Sequence, residues 1–127
     1  MAFEIEFNNW LQDALQQEIP TSVRAFSFNL FEYPEKEEAK FGVELVGTKT
    51  FNESDPDWAC DEIWEPKQRK LEISILFSGG DWKQCQAKVK SLAVEFLRNG
   101  PGAGILKSRQ GVGIGFVDGD MEVIWQS

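Results

Sequence analysis

The stretch DPDWACDEIW, residues 55 to 64, sets four carboxylates, Asp55, Asp57, Asp61 and Glu62, around Trp58, Cys60 and Trp64. Side chains of these types at this spacing could do three kinds of chemistry. Clustered carboxylate oxygens can hold a calcium ion. Two acids whose surroundings push their pKa values apart can divide the acid and base roles of a hydrolase. Carboxylates ringing an aromatic side chain have the composition of a contact site for a basic protein.

The first two readings lose ground on the residues themselves. Taken as a calcium loop beginning at Asp55, the stretch carries Cys60 where the turn needs its glycine. With 21 acidic residues in the chain, a carboxylate pair can be picked almost anywhere and so identifies nothing. The chain has no histidine, which removes the commonest general base, the usual activator of a serine or cysteine nucleophile and the commonest transition-metal ligand. A thiol beside Asp61 and Glu62 is poorly placed to become a thiolate, so Cys60, like Cys85, is expected to be a small packed residue in a reducing compartment. No catalytic residue, metal or cofactor is expected.

Two glycine stretches, GPGAG at 100–104 and GVGIG at 111–115, do not match phosphate-binding patterns and do not open a helix. The second places Gly111, Gly113 and Gly115 at period two, on one face of a strand whose other face carries Val112, Ile114 and Phe116. A bare strand face lets a helix of the same fold, a neighbouring aromatic or a partner approach closely, and a tryptophan packed across the hairpin is the expected occupant. Trp58 and Trp64 themselves have two roles open to them, as plugs for one end of a sheet or as partly exposed anchors among the acids.

Charge narrows the class of partner. Between Glu32 and Glu65 stand eleven acids and three lysines, which accounts for the whole net charge of −8, while the rest of the chain carries ten of each sign. Such a field repels nucleic acid and anionic lipid and steers basic surfaces inward. The N-terminus MAFEIEFNNW has acids where a secretory signal has bases, and no apolar run is long enough to span a bilayer, so a cytoplasmic protein is expected.

Around these residues the periodicities predict one domain over 1–127. Phe7, Trp10, Leu11, Ala14 and Leu15 form a helical stripe within residues 3–18, capped at Asn8 or Asn9 and closed by Pro20. Phe26, Phe28 and Leu30, then Phe41, Val43 and Leu45, alternate as two strands joined by the charged turn YPEKEEAK. Leu71, Ile73, Ile75 and Phe77 predict a third strand. Asp81 caps a second helix bearing Trp82, Cys85, Val89, Leu92 and Phe96, which stops at Asn99-Gly100-Pro101-Gly102 with a left-handed glycine. A hairpin turning at Asp118-Gly119 ends the chain. The order α-β-β-β-α-β-β predicts an α+β fold: two layers, a largely antiparallel sheet of about five strands, and two helices on one face.

DWACDEIW with the preceding FGVELVGTKTF, and the terminal GVGIGFVDGDMEVIW, resemble small bacterial immunity proteins of polymorphic toxin systems. The resemblance covers about a third of the chain and carries no binding residues over. It implies a small, often acidic protein that binds and occludes a cognate toxin domain without chemistry of its own. The acidic segment read independently from the charges is what such a role would use against a basic, nuclease-type toxin, and on that reading Asp55, Asp57, Trp58, Asp61, Glu62 and Trp64 are the expected partner-binding residues. A homo-oligomer joined through an exposed strand edge is the alternative, and a carboxylate-dependent hydrolase the next.

Overall fold

The structure, a computed structural model, describes residues 2–34 and 39–127. Its first helix, α1 (Ala2–Leu15), turns Phe3, Phe7, Trp10, Leu11, Ala14 and Leu15 into the core. These fall three and four residues apart, the spacing that keeps one face of a helix apolar. Phe3 belongs to the same stripe and draws the first turn into the helix, so Asn8 and Asn9 lie exposed in mid-helix and do not cap it. Trp10 is tied down at its polar end, where Nε1 donates to the Gln68 carbonyl at 2.7 Å.

Strands β1 (Ala25–Glu32) and β2 (Ala39–Thr48) pair antiparallel, with Ala25 opposite Thr48 and Glu32 opposite Phe41. The middle of the charged turn expected between them, residues 35–38, lies outside the described residues. A 3₁₀ turn (Pro56–Cys60) and a short strand β3 (Glu62–Trp64) follow within the acidic segment. Next come β4 (Lys70–Ser74) and a single helical turn, α2 (Ile75–Ser78). The predicted third strand therefore stops at Ser74, whose hydroxyl accepts from the Leu76 amide at 3.3 Å and starts a helix. Ile75 is left exposed and Phe77 half-buried.

The long helix α3 (Trp82–Asn99) begins where the sequence places it, with the Asp81 carboxylate accepting from the Lys83 amide. Its end differs in detail. Gly100 precedes a proline, which restricts it to extended backbone, and φ is −74° there. The left-handed residue is Gly102, at φ +97°, and it leads into the one-turn helix α4 (Ala103–Leu106). Strands β5 (Gly111–Phe116) and β6 (Glu122–Gln126) complete the chain as the expected hairpin.

The fold is α+β, with six strands in the order β3-β2-β1-β5-β6 and β4 also paired to β2. The sheet is mixed, not largely antiparallel, because the central pair β1 and β5 runs parallel, Phe28 beside Ile114. The cause is the long connection between β4 and β5. β4 runs antiparallel to β2 and hence in the same sense as β1; the chain then crosses through α2, α3 and α4 and enters β5 in that same sense. The extra strand over the expected five is β3, three residues long.

One hydrophobic cluster joins α1 and α3 to the sheet face carrying Phe26, Phe28, Leu30, Val43, Leu45, Ile73, Val112 and Ile114. The opposite face is also covered, because Ser27, Val46 and Thr48 point that way and are fully buried. What covers it meets the bare glycines of β5. A Cβ on Gly111 would lie 2.4 Å from the Phe51 ring, on Gly113 2.7 Å from the Trp58 indole, and on Gly115 2.4 Å from the Asp120 carbonyl oxygen.

These three contacts rank the cost of added methyl groups. Gly113→Ala should lower stability by about 1–3 kcal/mol, because only side chains must give way. Gly115→Ala should cost more, since the atom it strikes is backbone. Urea melts of both variants provide the check, and wild-type midpoints would show that nothing packs against this strand.

Candidate functional site

The acidic segment is a lid on the glycine face of the sheet. Its anchor is Trp58, only 3% exposed, with its indole seated over Gly113 and edge-on to Phe51 at 5.0 Å between ring centroids. The turn that aims it is fixed locally. Asp55 caps the 3₁₀ turn by accepting from the Asp57 amide at 3.1 Å, and Pro56 suits the first position, where no amide bond is needed. Asp61 closes the lid against its entry strand, where its carboxylate accepts from the Thr50 hydroxyl at 2.7 Å and its carbonyl accepts from the Lys49 amide at 2.8 Å.

With the indole turned inward, the neighbouring polar residues are turned outward. Asp55, Asp57 and Asp61 are all exposed and line an open hollow of about 640 Å³ with Asn52, Thr50 and Cys60. Trp58, expected either as a plug or as an exposed anchor, is the plug. Cys60, expected to be packed, is exposed for the same reason, since one turn cannot bury both residues. Among the described residues no three of Asp, Glu, Cys and His gather as metal ligands.

Glu62 and Trp64 leave this group and join β3. Trp64 is half-buried, edge-on to Phe26 at 6.1 Å, and its ring, behind Val23, crowds the space that a side chain on Gly47 would occupy. It thus supports the main core and not the lid. Glu62 grips Arg69 with both carboxylate oxygens, one at 2.7 Å, and Arg69 also binds Glu65 at 3.0 Å and Glu44 through both Nε and Nη2, at 3.2 and 3.1 Å. One guanidinium thus meets three carboxylates. Its pKa is pushed further up by Glu62 first and Glu44 second, against the effect of burial.

The network runs on under the lid. Asn29 Nδ2 donates to Glu44 at 3.2 Å, and the buried Ser27 hydroxyl donates to Asn29 Oδ1 at 2.6 Å. Sequence reasoning missed Arg69, Glu44 and Asn29 as a unit, because outward polar residues on alternating strands read as a solvent face. The available signal was Glu44 itself, a charge inside the run FGVELVG. Asn29, Cys60, Glu62 and Met121 also line a second hollow of about 310 Å³ between the lid and the β5–β6 turn.

The buried thiol has a different character. Cys85 sits on the core stripe of α3, fully buried, and burial pushes its pKa up to about 12, only partly opposed by Lys88. No protein family, curated protein or solved structure matches the chain. The arrangement of these side chains is therefore what any functional reading rests on. Nor is any helix among the described residues long and apolar enough to cross a membrane.

Two outcomes are expected. Thiol titration of the folded protein should label Cys60 rapidly and Cys85 only on unfolding, whereas equal rates would contradict the burial of Cys85. Arg69→Met should destabilise by roughly 1–3 kcal/mol, because it leaves Glu44 under the lid without its charge partner. Adding Glu44→Gln to that variant should recover part of the loss, and strictly additive effects in the double-mutant cycle would show that the two do not interact.

Proposed function

We propose that this chain is a non-enzymatic protein-binding domain, an immunity protein that neutralises a basic, nuclease-type toxin through the acidic lid. The observation that carries the reading is the division of labour within the lid. Trp58 is sunk over Gly113, and Asp55, Asp57 and Asp61 face solvent on a turn held by their own capping bonds. A rigid acidic platform loses little conformational freedom on binding, which is where much of the cost of association lies. Its field speeds encounter with a basic surface and disfavours acidic ones.

The contributing residues are not equivalent in this proposal. Asp57 and Asp61 steer and pair with the partner, Asp61 while also holding the lid through Thr50, and Asp55 shapes the turn as well as adding charge. Glu62 is committed to Arg69 and acts at the margin, Trp58 contributes by holding the platform, and Trp64 by fastening β3 to the core beside it. The absence of histidine and the buried, protonated Cys85 support a mechanism of blockade with no chemical step. The reading needs no cofactor or metal, and nucleic acid is not its ligand.

The experiment is co-expression with a panel of basic nuclease domains, scored by rescue of host growth, followed by association kinetics for the domain that is rescued. Asp57→Lys with Asp61→Lys should slow association by about tenfold or more at low salt and change dissociation less. An association rate that ignores the double reversal would sink the acidic-lid mechanism, and failure to rescue against every domain would count against the immunity role.

A further inference from the structure

The helical side of the molecule carries its own unexplained surface. A cleft of about 720 Å³ opens between α1, α2 and α3, lined by Phe3, Phe77 and Leu92, with Glu6 on the α1 wall and Lys88 on the α3 wall. Phe3 and Phe77 pack ring to ring at 4.8 Å in this cleft. At its rim, and part of its lining, stands Leu76, 94% exposed; its chain neighbour Ile75 and Ile5 of α1 are exposed as well. Single exposed apolar residues are ordinary, but a fully exposed leucine at the lip of a hollow lined by two phenylalanines and a leucine is not.

Leu76 is not a loose loop residue. Its amide bonds to the Ser74 hydroxyl, the Gly79 amide donates to the Ile75 carbonyl at 2.9 Å, and Lys88 Nζ donates to the Phe77 carbonyl at 2.8 Å. The turn is thus fastened on both sides of Leu76 with the side chain pointing into water. A knob is held out next to a hole.

We propose that this cleft is the docking site for a second copy of the chain, in a twofold dimer where Leu76 of each copy enters the cleft of the other. Three features select a second copy over a foreign partner. Knob and hole lie in one patch, which is the self-complementarity a twofold interface requires. Glu6 and Lys88 stand on opposite walls, so a twofold whose axis runs along the cleft sets Glu6 of one copy towards Lys88 of the other. The excess charge of the chain lies within residues 32–65, and its lid covers the far face of the sheet, so two copies can meet here without pressing their acidic fields together.

Sedimentation equilibrium of the intact chain tests this. The wild type is expected to reach twice the 14.4 kDa monomer mass as concentration rises. Leu76→Glu, at a position with almost no contacts to lose, should keep the circular dichroism spectrum and thermal midpoint while weakening the dimer roughly a hundred- to ten-thousandfold, the worth of the two leucines that the twofold buries. Glu6→Lys should weaken it severalfold at low salt, with the loss fading as salt is added. A wild type that stays at monomer mass at every concentration overturns the proposal. So does a dimer that Leu76→Glu leaves intact, which would place the contact elsewhere, for example on the edge of β6.

Discussion

Everything on the outward side of the sheet depends on β5 having no side chains there. Gly111, Gly113 and Gly115 let the Phe51 ring, the Trp58 indole and the Asp120 backbone approach to distances that a single methyl group would forbid. The consequence reaches well beyond the strand. A segment as acidic as residues 49–62 has little tendency to fold over anything, since its charges favour water and repel one another. The burial of one indole, on the order of a few kcal/mol, holds it in place together with the Asp61 bonds to Thr50 and Lys49. The turn then presents its carboxylates in one fixed arrangement.

The second constraint is electrostatic and lies at the edge of that lid. Glu44 belongs to a central strand and faces the covered side of the sheet, where an unpaired carboxylate would be costly. Arg69 answers it from the segment between β3 and β4, with enough donors left to bind Glu62 and Glu65. Three acids around one cation leave the cluster net negative. Arg69 thus fixes the start of β4 and the end of β3 against β2 without cancelling the acidic field of that side. Trp64, packed edge-on to Phe26, closes the same stretch from the core side.

The parts of this architecture that were legible in the sequence are those whose signal is periodic and local. The stripes of α1 and α3, the Asp81 cap, the alternation of β1 and β2 and the terminal hairpin all repeat over several turns or strand residues. β3 was not legible because three residues carry no period, and α2 was hidden because Leu71 to Phe77 keep alternating past the point where Ser74 caps a helix. The parallel pairing of β1 with β5 depends on a crossover of over thirty residues, which no local pattern encodes. The site was legible in halves: the glycine strand asked for a tryptophan from across its own hairpin, whereas the indole over Gly113 is that of Trp58 in the acidic turn, and DPDWACDEIW offered a tryptophan with two possible roles. Nothing in either stretch says that they meet.

Their meeting also explains why the molecule has two faces of opposite character. Core helices occupy one side of the sheet, so the lid had to form on the other, and the acids of residues 49–62 went with it. The helical side is left with balanced charge and with the apolar residues that the core could not absorb, Leu76 foremost. The sheet lies between them and keeps the two surfaces apart. A contact made on the helical side therefore does not cover the acidic turn. The separation follows from the bare face of β5, since a single side chain at Gly113 would lift Trp58 and loosen the acids it carries.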